Sequence, residues 1–254
     1  MQMALDEVAA ETAAAGGPRT VRVYQWPDTL SLGYRQATET VDWETCDEIG
    51  IEVTRRPTGG GGIYHDRVGD ISYSIAVPTA EVPSDLRSCY ELLCEPVFGA
   101  FSRLGVDATF ANEPKAACYQ PACYLRDVDP AHDIVVAGRK ISGNAQYRQR
   151  GAVLQHGSIS YALAPERHLS AFNTEVSPAE FRARVSAISE GDCEGTGNYE
   201  GTATISRERA VSALEAALSG WADAEEGEWT AAELDRATTL VSEKYGDTAW
   251  IQKF

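Results

Sequence analysis

Four consecutive glycines, Gly59, Gly60, Gly61 and Gly62, interrupt the chain between Arg55-Arg56-Pro57-Thr58 and Ile63-Tyr64-His65-Asp66. No helix or strand interior tolerates such a run, because each glycine carries the largest backbone entropy cost of any residue. Residues 51–54 alternate like a strand before it, and residues 70–77 (DISYSIAV) read as a second strand after it. The stretch is therefore a strand–loop–strand connection. A flexible linker is the alternative reading, but paired arginines and flanking strand patterns are not linker features. Backbone N–H groups in such a loop can form a concave anion site, so a phosphate or carboxylate cradle is the expectation. Glycines alone do not name the ligand.

A chain of 254 residues with 43% hydrophobic content has ample core for one large domain or two small ones. No apolar run is long enough to cross a bilayer. The start, Met1-Gln2-Met3-Ala4-Leu5-Asp6-Glu7, lacks the basic segment of a secretory signal, so a cytoplasmic location is expected. The net charge of −16 argues against nucleic acid and anionic membranes as partners. It suits a high-salt, halophilic cytoplasm, where screening relieves self-repulsion. Only four lysines are present, Lys115, Lys140, Lys244 and Lys253, so each is conspicuous. Cys46, Cys89, Cys94, Cys118, Cys123 and Cys193 match no zinc spacing, and no metal site is expected. Cys89 and Cys94 read as small core residues.

Residues 2–15 form an alanine-rich helix candidate stopped by Gly16-Gly17-Pro18. Residues 20–26 and 29–34 read as a hairpin turned by Pro27-Asp28. Residues 42–49 read as a short helix. Residues 84–104 form a longer one, with Ser84 as cap and Pro96 as a kink or a new start. A short strand at 107–111 precedes a long loop over 112–132, a length that points to function or disorder. Residues 133–137 and 140–146 read as a hairpin turning at Gly138, followed by a strand over 152–163. Ser177-Pro178-Ala179-Glu180 and Thr230-Ala231-Ala232-Glu233 are capping boxes that open helices. Residues 206–222 are amphipathic, and 190–203 read as an acidic, glycine-rich surface loop. The order implies an α+β (α/β) fold: a central mixed, largely antiparallel sheet flanked by helices. The expected division is a catalytic domain over 1–190 and a helical extension over 191–254 packed on it.

Three polar islands interrupt the strands. The first is the glycine stretch with Arg55, Arg56, His65 and Asp66. The second is Gly138-Arg139-Lys140-Ile141-Ser142-Gly143-Asn144-Ala145-Gln146, and the third is Gln155-His156-Gly157-Ser158. Lys140, between apolar strand residues, reads as a point charge for a phosphate or acyl oxygen, able to stabilise negative charge in acyl transfer. The alternative is a surface lysine beside a hairpin. His156 is either a satisfied core histidine or a ligand contact, and Gly157 a place of close backbone approach. His65 and Asp66 could pair as base and orienting carboxylate, or cap a turn.

Together, residues 55–66, 138–146 and 154–158 resemble the three signature segments of the lipoate–protein ligase and octanoyltransferase family. That family shares its catalytic fold with biotin–protein ligases. The start (residues 3–7), residues 31–36 and the end (Lys244-Tyr245 … Trp250) match as well, in the right order. The departures are Thr58 where serine is usual, Gly62 where alanine is usual, and Asn144 in place of serine. The resemblance implies amide formation between an octanoyl or lipoyl group and a lysine of a lipoyl carrier domain. Such carriers are the E2 component of a 2-oxoacid dehydrogenase or the H protein of glycine cleavage. It implies Lys140 at the acyl carbonyl, and a substrate pocket built from Arg56, Thr58, Gly59, Gly60, Gly61, Gly62, Tyr64, His65, Asp66, Ser142, Gly143, Gln146, His156 and Gly157.

Two mechanisms share these segments. A ligase uses ATP and Mg²⁺ to activate free lipoate as an adenylate. A transferase takes octanoyl from an acyl carrier protein onto a cysteine thiolate, with no cofactor. Ala122-Cys123-Tyr124 resembles the cysteine segment of octanoyltransferases and points to Cys123, with Cys118 as a second candidate thiol. Asp133 looks more like the ligases. Many ligases carry a C-terminal accessory domain or receive it from a separate subunit, and this chain ends where that domain would begin. The transferase is the leading expectation and the ligase its alternative. Carrier docking is expected to use Arg55, Arg56, Arg148 and Arg150 rather than net charge.

Overall fold

The structure, a computed structural model, describes residues 1–112, 132–149, 151–190 and 205–254. Helix α1 (Gln2–Ala14) leads into β1 (Thr20–Tyr24) and β2 (Thr29–Leu32). Then come α2 (Trp43–Glu48), β3 (Glu52–Arg55), β4 (Ile63–His65), β5 (Asp70–Pro78) and α3 (Leu86–Leu104). Strands β6 (Thr109–Phe110), β7 (Ile134–Val136), β8 (Arg139–Gln149) and β9 (Ala152–Ser160) follow. Helices α4 (Pro165–Ser170), α5 (Pro178–Arg182), α6 (Arg207–Ala222), α7 (Ala231–Leu240) and α8 (Thr248–Ile251) complete the order.

Two sheets result. The larger is antiparallel throughout, in the order β1-β5-β9-β8-β7-β6. The smaller runs β3-β2-β4, with β2 parallel to β3 and antiparallel to β4. The expected hairpin of β1 with β2 does not form. The Pro27-Asp28 turn is there, but it carries the chain from one sheet to the other. Trp26 is buried at that corner, its ring stacked 4.5 Å from that of His65. Strand β4 had no signal of its own, because three residues after a glycine run are too few to show alternation. The hairpin of β7 and β8 turns at Ala137 and Gly138, both at positive φ, as a two-residue hairpin requires.

One face of the large sheet is apolar. Ile71, Tyr73, Ile75 and Val77 of β5 join Leu93, Val97 and Phe101 of α3, with Leu214 and Leu218 of α6 behind them. Helix α3 runs through Pro96 without a break, capped by Asp85, whose carboxylate accepts from the Ser88 N–H at 2.8 Å, rather than by Ser84. An internal proline costs a helix about 3 kcal/mol. Burying Leu93, Val97 and Phe101 returns about 1.5–3 kcal/mol each, so the helix holds. Both capping boxes form as expected, at Ser177–Glu180 and Thr230–Glu233. Helix α7 packs with α1 around Met3, Val8, Ala237 and Leu240.

Candidate functional site

Alternation along β5 sends Ile71, Tyr73 and Ile75 to the apolar core, so Asp70, Ser72 and Ser74 face the other way. That second face is buried too, beneath α1 and the small sheet, and its core is polar. His156 of β9 lies there, with its Nε2 2.9 Å from the Thr58 hydroxyl and its Nδ1 3.2 Å from the Asp6 carboxylate. His65 of β4 is arranged in the same way, with Nε2 2.7 Å from the Ser31 hydroxyl and Nδ1 3.1 Å from Asp70. Arg56 stands between the two histidines. Its Nη1 donates to the Ser31 hydroxyl at 2.7 Å and its Nε to the Thr58 hydroxyl at 3.3 Å.

The same guanidinium holds the glycine loop. Nη2 of Arg56 donates to the carbonyls of Gly61 at 2.9 Å and Gly59 at 3.3 Å. Gly60 sits at φ +94°, where an L side chain is strained. The loop tip lies on the Gly33-Tyr34 turn: a Cβ on Gly33 would fall 1.8 Å from the Gly60 carbonyl oxygen. Arg55 is fully buried beneath that turn. Its Nη1 donates to the carbonyls of Gly33, Tyr34 and Gln36, and its Nε to that of Ile251 at 2.8 Å. Arg55 and Arg56 are 0% and 5% exposed, so neither belongs to a docking surface. Arg148 is tied to the carbonyls of Pro83 and Ser84, and Arg150 lies outside the described residues.

Lys140 is 7% exposed, its ammonium 2.7 Å from a carboxylate oxygen of Asp133. The amine lies across Gly143, where a Cβ would come within 2.8 Å of Nζ. A cavity opens beside it, lined among others by Tyr64, Asp70, Ser142, Gly143, Ser158 and Phe181. The Ser142 hydroxyl is buried there without a hydrogen-bond partner among the described residues. The chemistry available is a fixed ammonium and an unspent hydroxyl at the wall of a cavity, a donor pair suited to a carbonyl oxygen gaining negative charge. A second, more apolar cavity lies between α1 and the large sheet, lined by Ala10, Ala14, Pro57, Tyr147 and Leu154, with Glu7 and Glu11 at its rim.

Other residues singled out in the sequence have different surroundings. Asp66 accepts from the N–H groups of Val68 and Gly69 and so caps a turn, while the carboxylate beside His65 is Asp70. Tyr64 donates to Asp28 at 3.0 Å. At Gly157 a Cβ would meet the Tyr73 ring at 2.4 Å and the Asn144 amide oxygen at 2.5 Å, so the close approach there is made by protein side chains. Gln146 donates to Gln155 at 2.8 Å on the apolar side of the sheet. Cys118, Cys123 and Cys193 lie outside the described residues. Burial pushes the Cys94 thiol up to about 12 and that of Cys46 up to about 11, far from a neutral-pH thiolate.

Asp6, Ser31 and Asp70 were not picked out from the sequence as site residues. Signals existed for the two aspartates. Asp70, Ser72 and Ser74 recur on one face of a strand whose other face is wholly apolar. Asp6 sits on a helix face otherwise built of Met3, Val8, Ala9 and Ala13.

This fold, with Lys140 at the wall of a cavity and a glycine loop held by Arg56, defines a class. Residues 1–194 match the profile described as the lipoyl protein ligase A/B catalytic domain, and the chain belongs to that family. Among curated relatives, the octanoyltransferase LipM of Kyrpidia tusciae is 35% identical over 265 residues, covering 96% of this chain and 92% of that protein. Among solved structures, a putative lipoate protein ligase of T. acidophilum with bound lipoic acid superposes with a TM-score of 0.77 at 23% identity, covering 100% of this chain and 93% of that one. Lipoate-protein ligase A bound with ATP gives 0.77 at 24% identity, covering 98% and 92%. These two likenesses establish the fold.

Proposed function

We propose that this chain is an octanoyltransferase acting on a lipoyl carrier domain, of the E2 or the H-protein kind, in a high-salt cytoplasm. Residues 1–190 are its catalytic domain and 191–254 an extension packed on it. The observation that carries the reading is the 35% identity to an octanoyltransferase over 96% of the chain. The Lys140 ammonium at the wall of a cavity supports acyl transfer in general, which the ligase alternative shares.

In the proposed reaction the Cys123 thiolate attacks the octanoyl thioester of an acyl carrier protein, and the carrier's thiolate leaves. The lysine amine of the lipoyl domain then attacks the acyl-enzyme carbonyl, loses a proton and expels the Cys123 thiolate. At both steps the carbonyl oxygen gains negative charge, which the Lys140 ammonium and the Ser142 hydroxyl stabilise. Asp133 holds the Lys140 ammonium in place. The transfer needs no cofactor.

The test is incubation with octanoyl-acyl carrier protein without ATP, in high salt, followed by mass spectrometry. An octanoyl adduct on Cys123, absent from Cys123→Ala, is expected. Lys140→Ala should abolish transfer. Full activity of Cys123→Ala together with an ATP requirement would refute the transferase and leave a lipoate ligase, with ATP, Mg²⁺ and a possible accessory subunit.

A further inference from the structure

We propose that Asp6 and Asp70 are positioning residues for the glycine loop, acting through two hydrogen-bond chains that both start on the Arg56 guanidinium. The kinetic part of this proposal rests on the octanoyltransferase reading; its structural part does not.

The direction of the end bonds follows from chemistry, and the hydroxyls are proposed to donate to the histidines. A guanidinium only donates and a carboxylate only accepts. On one arm, Arg56 Nε donates to Thr58 at 3.3 Å, so the Thr58 hydroxyl is free to donate onward to His156 Nε2 at 2.9 Å. His156 then donates from Nδ1 to Asp6 at 3.2 Å. On the other arm, Arg56 Nη1 donates to Ser31 at 2.7 Å, Ser31 to His65 Nε2 at 2.7 Å, and His65 Nδ1 to Asp70 at 3.1 Å. Each chain runs from a cation to an anion with all its dipoles aligned, the arrangement in which hydrogen bonds reinforce one another. In this arrangement the nitrogen of each ring that faces a carboxylate, Nδ1, carries a proton, and the one that faces a hydroxyl, Nε2, accepts.

The far ends are anchored. Asp6 accepts from Arg22 and from the Tyr24 hydroxyl, and Asp70 from the Ser72 and Ser158 hydroxyls. The near end is Arg56 Nη2, which grips the Gly59 and Gly61 carbonyls. A guanidinium held on two of its edges can present the third to the loop in one orientation only. Lysine, with a single rotatable ammonium, cannot reproduce this. The glycine loop is thus set by carboxylates on α1 and β5, both outside the loop itself.

Two-bond proton–nitrogen correlation spectra of ¹⁵N-histidine-labelled protein read the tautomers directly, with His65→Gln and His156→Gln giving the assignments. The expected result is protonation at Nδ1 and not at Nε2 for both rings. Protonation at Nε2 of either would overturn the proposal. Loop order is read without substrate, by amide hydrogen exchange at residues 59–62. Exchange should speed up in Asp6→Asn, in Asp70→Asn and in Thr58→Val, which cuts one arm while both carboxylates stay in place. Unchanged exchange in the folded Thr58→Val protein would also overturn it. In transfer assays, Asp6→Asn and Asp70→Asn should raise KM for the octanoyl donor about tenfold with kcat within about twofold, the size of one lost charge-assisted bond. A fall in kcat alone would count against loop positioning. A wild-type protein with no transferase activity would remove the octanoyltransferase reading and leave the tautomer and exchange results to decide.

Discussion

Replacing Gly33 by alanine puts a methyl group where the Gly60 carbonyl oxygen stands. The distance would be 1.8 Å, against about 3.4 Å for ordinary contact, so one backbone must retreat by roughly 1.5 Å. Neither partner is a side chain that can rotate away. Gly33 is held from below, because its carbonyl is bound by Arg55 at 2.7 Å and the Tyr34 N–H donates to the Thr58 carbonyl at 2.8 Å. The glycine tip is exposed on its outer side, so the tip is what moves. A displacement of about 1 Å in a positioning element costs on the order of a hundredfold in rate, or about 2.7 kcal/mol of transition-state stabilisation. The matched control is Gly59→Ala, whose Cβ meets nothing within 4 Å. The assay is kcat/KM for octanoyl transfer, with thermal melting of both variants. Gly33→Ala should lose about two orders of magnitude while melting as a folded protein, and Gly59→Ala should stay within about threefold of the parent. Equal losses in the two variants, or an unaffected Gly33→Ala, would refute the packing argument.

Gly157→Ala drives a methyl group into the Tyr73 ring and the Asn144 amide, breaking a 2.6 Å hydrogen bond between them. Overpacking of about 1–3 kcal/mol plus a bond of about 1 kcal/mol should show as a shallower chemical denaturation midpoint; a midpoint equal to the parent's would mean the space is kept for a ligand instead. Arg55→Lys can satisfy the turn carbonyls or Ile251 but not both. It should cost about 2 kcal/mol, with faster hydrogen exchange at residues 248–252 as the signature. Burial holds His156 below its ordinary value near 6.5. Its contribution to stability is therefore complete above that pH and is lost as pH falls towards its folded value. Stability-against-pH curves should be shallower for His156→Gln than for the parent below pH 6.5, by at most about 1.4 kcal/mol per pH unit; identical slopes would show that the ring is not buried neutral. For Asp6, burial pushes the carboxyl up, but Arg22 and His156 outweigh it and hold it below its ordinary range, which places a second loss of stability under about pH 4.

Elements written in local chemistry were legible. The capping boxes at Ser177 and Thr230, the turn at Gly138 and the apolar stripe of α3 each rest on neighbours within one or two turns of chain. What depends on distant partners was not. Thr20–Tyr24 and Thr29–Leu32 carry the same alternation whether they pair with each other or with different sheets, and Trp26 at the corner decides it. Arg55-Arg56 reads as part of a docking surface because two adjacent arginines usually face water. Here both are buried and donate to backbone carbonyls, among them those of Ile251, Gly33, Ser31 and Gly61. Asp6 is hidden in an alanine-rich helix, and its meaning lies 150 residues away at His156. The lysine and the glycine loop were visible from their own residues; the network that holds them was not.

The tie between Arg55 and Ile251 closes a span of 196 residues, and two others run beside it, from Trp250 Nε1 to the Arg55 carbonyl and from Thr54 to the Tyr245 carbonyl. At about 5–20 residues per second of synthesis, the ribosome needs roughly 10–40 s after making Arg55 to deliver its anchor. Through that interval the glycine loop has been made but the floor beneath its turn is missing. A nascent chain therefore holds the glycine loop above an unfinished floor until residues 245–251 arrive.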